Sequence, residues 1–341
     1  MKKLKRLPLW VVAAMFIWFI NDLSATTIKG RVLSCPVCMA KVDAMVIVST
    51  NNFGGQDRDF LTYAVGFNPI FIEPITCIRC FFSGYTDDFE RKSSIPELVK
   101  ENILSGKILR PISPITSISD YDQIPAWQRY DLIAQTYQLL NKDKNTLADQ
   151  YLKASWTVRL SSDPLSVLDK KTNKKVLELI HETWDGEAAK RQNRAFYETA
   201  LGREFAQKAK VLKGEQRKIA AYAAIHLLRS HGENNFAKQV LPLLKTVEAE
   251  DKYMKMQRSL KKSISREQFF QAKAVLLFEK AGEEPNNRSE MGSLWYLSGE
   301  LNRRLGNWAK ARHYFEKCEE MTGLPKWLAQ YAKEQKELIP K

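Results

Sequence analysis

The stretch WYLSGELNRRLGNWAKARHYFEKCEEMTG, Trp295 to Gly323, decides how the C-terminal two-thirds of the chain folds. Trp295, Gly299, Gly306, Trp308, Ala311, Phe315 and Cys318 supply, in order, a large, a small, a turn, an aromatic, a small, an aromatic and a small residue. At helical periodicity this spacing predicts two helices folded back on each other at Gly306. Small residues let the two backbones approach, and the aromatics fill the groove beside them. Cys318 takes a slot that wants a small buried residue, so it reads as core.

Outward from this pair, the same spacing is that of a tetratricopeptide unit. Two looser copies lie upstream. Ile225 to Leu244 has Gly232 at the turn and Ala237 at the small position, and Tyr130 to Ala154 has Tyr137 and Tyr151 in aromatic slots. From Pro125 onward apolar residues recur at spacings of three and four. Breaks fall near Asn141, Asp163-Pro164, Asp185-Gly186, Gly214, Gly232, Gly282, Gly306 and Gly323. Residues 125–341 are therefore expected to form stacked antiparallel helix pairs, a TPR-like α-helical repeat domain.

Residues 26–92 read differently. Thr27 to Leu33, Val42 to Thr50 and Pro69 to Thr76 are β-branched or alternating, and Asn51 to Gly55 is a turn cluster, so a small β-rich head is expected. Ser94-Ile95-Pro96-Glu97 opens a short helix. Pro111, Pro114 and Pro125 mark 93–124 as a connector. The expected fold class is α+β, a zinc-ribbon-like four-Cys head followed by the helical repeats.

The chemistry of the head lies in two CxxC pairs, Cys35-Pro-Val-Cys38 and Cys77-Ile-Arg-Cys80, with 38 residues between them. A two-residue spacer lets both sulfurs of a tight turn face one point, and two such turns present four thiolates as a tetrahedron. This is the way structural zinc is held. In an oxidising compartment the same four residues form two disulfides instead, and a redox-active CxxC is a third reading. Met39 and Phe81 follow the pairs where a zinc knuckle commonly has a small residue able to take a positive φ. Asp57, Asp59 and Asn68 lie between the pairs. They read as turn residues that satisfy backbone donors, or else as a polar site beside the clamp.

The runs CPVC, DRDF, GFNPIF, CIRC and DDF, with the helices ending in YLSGELNRRLGNWAKARHYFEKC and WLAQYAKEQ, resemble an uncharacterised bacterial family with a paired-CxxC head and a TPR-like tail. The likeness runs from about Val32 to Lys336. It implies that Cys35, Cys38, Cys77 and Cys80 are the metal-clamping positions, and it carries no activity. The second pair differs from that family's C-P-x-C-G in having Ile78 and Phe81.

Lys2 to Arg6, the apolar run Leu9 to Ile20 and the polar Asn21 to Ala25 follow the order of a secretory signal, cleaved after Ala25 or kept as an anchor. Export to the periplasm or cell envelope is the expectation. Any membrane contact would then be through an uncleaved 1–25 segment. The net charge of +14 is spread through the helices and reads as solvated helical faces or as a surface for an anionic envelope polymer. An export signal argues against nucleic acid. No Walker loop, GxGxxG, HExxH or GxSxG appears, and His181, His226, His231 and His313 read as surface or packing residues. No catalytic residue and no organic cofactor site is expected. The expectation is an exported scaffold that binds protein partners through its helical repeats. Thiol–disulfide or metal-handling chemistry at the CxxC pairs is the alternative.

Overall fold

A computed structural model describes residues 26–90, 95–106, 108–113, 124–284 and 290–340. The signal-like segment and residues 114–123 of the connector lie outside the described residues. The fold is α+β. Strands β1 (Thr27–Ser34) and β2 (Lys41–Ser49) form an antiparallel hairpin with Ser34 opposite Lys41, and the first CxxC pair occupies its turn. Alternation buries Leu33, Val42 and Ala44 on one face. Two short strands, β3 (Ile75–Thr76) and β4 (Ser83–Gly84), flank the second pair in the same way. Helices α1 (Thr86–Glu90) and α2 (Glu97–Leu104) complete the head.

The strand expected over Pro69 to Thr76 survives only in its last two residues. Pro69–Phe71 is a 3-10 turn. Pro69 presets φ at its first position, and the Asn68 side chain accepts a hydrogen bond from the Ile70 amide at 3.2 Å. Local capping therefore overrides the β-branched composition of that stretch.

The helical part comprises α3 (Ala126–Leu139), α4 (Lys144–Leu160), α5 (Lys170–Thr183), α6 (Gly186–Gln192), α7 (Arg194–Val211), α8 (Gly214–Ser230), α9 (Asn234–Val240), α10 (Glu250–Ala281), α11 (Met291–Leu305), α12 (Trp308–Glu320) and α13 (Lys326–Glu337). Each expected break is a helix boundary. Asp143 and Asp169 cap α4 and α5 by accepting from the Thr146 and Thr172 amides, 2.8 and 2.9 Å away. Consecutive helices α3–α4, α7–α8 and α11–α12 pack as hairpins.

Three apolar cores result. The first joins α3, α4, α11, α12, α13 and the C-terminal half of α10, and takes in Leu61 and Ile70 from the head. The second joins α5, α7, α8, α9 and the N-terminal half of α10. The third lies under the CxxC turns and includes Ile103 of α2 and Leu132 of α3. Helix α10 is thus a beam of 32 residues. Met256, Leu260 and Ile264 belong to the second core, and Phe270, Ala274 and Phe278 to the first.

The α11–α12 pair shows why small residues were required. A Cβ at Gly299 would lie 2.7 Å from the buried Phe315 ring, whereas one at Gly30 on β1 would meet nothing within 4 Å. Overpacking a core costs about 1–3 kcal/mol, against a few tenths gained in helix propensity. Gly299→Val is expected to lower the urea midpoint by the equivalent of about 2 kcal/mol. Gly30→Val should leave it within about 0.5 kcal/mol.

Candidate metal centre and buried charge seam

The two CxxC turns share one backbone design. Cys35 N–H donates to Ala40 O at 2.8 Å and Met39 N–H to Cys35 O at 3.0 Å. In the second turn Cys77 N–H donates to Phe82 O at 2.9 Å and Phe81 N–H to Cys77 O at 2.8 Å. Met39 and Phe81 both take positive φ, 59° and 60°. The turn geometry thus forms without the small residue usual at that place, at a cost of about 1–2 kcal/mol per residue. In each turn amides point at the leading sulfur, those of Val37 and Cys38 at Cys35 and those of Arg79 and Cys80 at Cys77. Helix α3 pins the second turn from below. Thr136 Oγ1 accepts from Ser83 N–H at 3.3 Å, and the Arg129 guanidinium donates to Pro74 O at 3.2 Å.

The topology brings all four sequence-predicted ligands together. The sulfurs of Cys35, Cys38, Cys77 and Cys80 lie within 4.8 Å of one another. Cys35–Cys80 and Cys38–Cys77 are 3.6 and 3.5 Å apart. Four thiolates about 2.3 Å from a tetrahedral ion stand about 3.8 Å apart, so the spacing fits a four-coordinate metal. None of the four is disulfide-bonded. Hydrogen bonds from Cys35 and Cys80 hold the Cys77 thiol well below its ordinary range, and the Cys35 and Cys80 thiols are pushed up in consequence. A cation at the centre of the four sulfurs would let all of them bind as thiolates. Cys318 is fully buried against Gly292 in the first core, as expected from its repeat slot.

Asn68 keeps the turn role read from the sequence, and so do Asp57 and Asp59, which accept from the Arg58 and Leu61 amides at 2.7 and 3.5 Å, but both aspartates also carry a buried ionic role that the sequence did not show. The segment Gly54 to Tyr63 folds back on itself, with Tyr63 N–H donating to Gly55 O at 2.9 Å and Asp57 N–H to Leu61 O at 2.8 Å. Its tip enters the seam between the first and second cores. Asp57 and Asp59 are 2% and 0% exposed. Arg159 of α4 donates to Asp57 at 2.7 Å and also pairs with Asp59. Arg304 of α11 reaches Asp59 at 3.0 Å and Asp57 at 3.4 Å. Buried carboxylates need ionic partners, and here the partners arrive from helices far along the chain.

The pairing continues through the seam. Glu267, midway along α10 between its two apolar stripes, accepts from Arg159 at 3.1 Å, Arg229 at 2.5 Å and Asn234 at 3.0 Å. Glu300 accepts from Arg303 and Arg304, each at 2.7 Å, and Glu233 from Arg303 at 2.9 Å. His231 is no surface histidine. Its Nε2 lies 2.7 Å from Glu198, and its Nδ1 lies 3.8 Å from Asp57 and 3.2 Å from the Tyr63 hydroxyl. Side chains at most 5% exposed here comprise five carboxylates (Asp57, Asp59, Glu233, Glu267, Glu300) and four arginines (Arg159, Arg229, Arg303, Arg304) with His231. The set is neutral only when His231 carries its proton. Sequence reasoning missed this network because each member alone resembles a surface charge. The one available signal was the doublet Arg303-Arg304 inside an otherwise core-like helix.

Burial opposes the His231 charge, yet the carboxylates of Asp57, 3.8 Å away, and of Glu198, hydrogen-bonded at 2.7 Å, prevail and push its pKa from 6.5 up to about 9. Burial likewise opposes ionised Asp57, but Arg304, His231 and Arg159 hold it well below the usual carboxylate range. A raised histidine contributes stability that is complete below about pH 6.5 and lost as pH rises through about 9. A depressed aspartate contributes stability present above about pH 4 and lost in acid. Thermal denaturation scanned across pH should therefore show a plateau near pH 5–6 and a fall towards pH 9. His231→Gln should flatten the alkaline fall and lower stability at pH 6 by on the order of 3 kcal/mol.

No curated protein and no solved structure matches the chain, and no helix among the described residues is long and apolar enough to cross a membrane. A protein-family model matches over residues 29–264 and 256–339, which takes in both CxxC turns, the seam and the helices through α13. The chain belongs to the bacterial family described as an uncharacterized protein conserved in bacteria (DUF2225).

Proposed function

We propose that the protein is an exported binding scaffold whose head is locked by one structural zinc ion and whose tetratricopeptide-like helices present the partner surface. The observation that carries this reading is the burial of the sulfur cluster. Cys35, Cys77 and Cys80 are 0%, 1% and 8% exposed, packed over α2 and α3, and Cys38 is partly buried beside them. A closed four-sulfur site with no open coordination position is a structural site, and zinc is the ion such sets usually take in a ribbon. Exchange chemistry needs an accessible thiolate, and Cys77, whose thiol is held well below its ordinary range, is buried. The cluster therefore favours a clamp over thiol–disulfide chemistry.

The partner surface we assign to the groove between α5, α7 and α8. It is a cavity of about 410 Å³ with a mostly apolar lining that includes Leu179, Phe205, Leu212 and Ile219, and Lys175, Lys208 and Glu215 stand at its rim. An amphipathic helix or an extended apolar segment of a partner fits such a groove. The basic 1–25 segment with its short apolar run supports export of the chain to the cell envelope.

Protein purified from the cells that make it is expected to carry one zinc per chain, with only Cys318 left after the four head sulfurs are protected, and that one reactive only on unfolding. Chelation should release the metal and expose all four head thiols together. A metal-free protein whose head thiols exchange with a test disulfide would overturn the clamp. Leu212→Lys should abolish partner co-purification with no change in zinc content, and undiminished co-purification would place the surface elsewhere.

A further inference from the structure

A second cavity, of about 230 Å³, opens where the inserted finger meets α7, the turn before α9 and the end of α13. Three of its lining residues each carry a buried polar atom that no protein group satisfies. These are Arg58 Nη1, Arg203 Nε and the Gln335 carbonyl oxygen, and the Gln335 residue is 4% exposed. We propose that this cavity binds a small oxyanion, a carboxylate or a phosphate group, between the Arg58 and Arg203 guanidiniums.

The acids that line the cavity are already committed. Asp57 is held by Arg159 and Arg304. Glu233 gives its two oxygens to Arg303 at 2.9 and 3.2 Å and meets Arg203 only at 3.5 Å. Glu334 pairs with the other terminal nitrogen of Arg58 and accepts from Gln330 at 2.9 Å. Each arginine of the lining thus keeps a buried N–H group that no carboxylate takes up. Burial lowers the Arg203 pKa from its ordinary value because the nearby carboxylates compensate its charge incompletely.

The donors are also held in place. The Arg58 guanidinium lies over the Phe196 ring, 3.3 Å from its centroid, and 4.1 Å from that of Tyr331. Arg203 stacks 4.8 Å from the Phe236 centroid. Planar guanidiniums fixed by aromatic faces present forked donors suited to the oxygens of a carboxylate or phosphate. The Gln335 carbonyl can accept from a hydroxyl, an amine or a protonated oxygen beside the anionic group. The volume admits an anion with a few attached heavy atoms and excludes a polymer.

The test is calorimetric titration of the purified protein with inorganic phosphate and, separately, with succinate, at ionic strength matched with sodium chloride. Saturable binding of one probe is expected, and which probe saturates identifies the anion class. Arg203→Met should weaken binding at least tenfold, whereas Arg258→Met on the exposed face of α10 should leave it unchanged. Gln335→Leu removes no charge and should weaken binding several-fold, which keeps the proposal testable if Arg203→Met fails to fold. Absence of saturable binding of either probe overturns the proposal. So does equal affinity in the wild type and a folded Arg203→Met or Gln335→Leu variant.

Discussion

Everything else in the molecule is arranged around the ion pairs that Asp57 and Asp59 make with Arg159 and Arg304. Moving such charges out of water costs several kcal/mol each, and the loss is recovered only when every partner is in place. Arg159 comes from the first helical hairpin, Arg304 from the last one, and the aspartates from the head. Glu267 ties the same arginine to the middle of α10. The finger can therefore dock only where α4, α10 and α11 have already converged. Hydrophobic burial would tolerate many slightly different seatings of the head on the helices. A closed lattice of opposite charges tolerates very few, so the seam contributes a unique geometry more than net stability.

The head obeys the same logic at shorter range. Two CxxC turns with methionine and phenylalanine at positive φ carry local strain that glycine would avoid. Backbone hydrogen bonds, packing of Phe82 against Phe89 and the pull of four sulfurs toward one point offset it. A metal that binds only the assembled set shifts the balance further towards the folded head. Phe81 packs against the third core, so there the residue that burdens the turn also stabilises its surroundings, whereas Met39 is exposed and offers no such return.

What could be read from the sequence was whatever is encoded over a few residues. The CxxC spacing, the helix breaks at Gly and Asp, the small slot at Gly299 and the buried Cys318 all rest on contacts within about one supersecondary unit. Asp57 and Asp59 read as turn residues because DRDF between glycines and an asparagine has that local composition, and they do accept from the Arg58 and Leu61 amides, but the ion pairs that bury them are not local. Their partners lie 100 or more positions away. Glu267 sits in KKSISREQFFQ, which has the look of a solvated face, and only the tertiary position of α10 between two cores makes it interior. The strand misplaced over Pro69 failed for the opposite reason, since a one-residue cap outweighed a longer compositional trend.

The seam also changes how the chain's basic character is understood. With histidines counted as neutral, the five buried carboxylates and four arginines contribute −1 to the net charge of +14, so the positive excess lies outside this part of the interior. Much of it is carried by Lys170, Lys171, Lys174 and Lys175 on α5 and by Lys255, Arg258, Lys261 and Lys262 on α10, all exposed. Lys252 of α10 bonds Asp169, the cap of α5, at 3.1 Å, which holds the two lysine-rich helices together. A surface of this kind raises the encounter rate with anionic partners and is screened by salt. It supplies no geometry for recognition, which in our reading comes from the apolar groove beside α5. Charge would bring a partner to the second helical core, and the groove would select it.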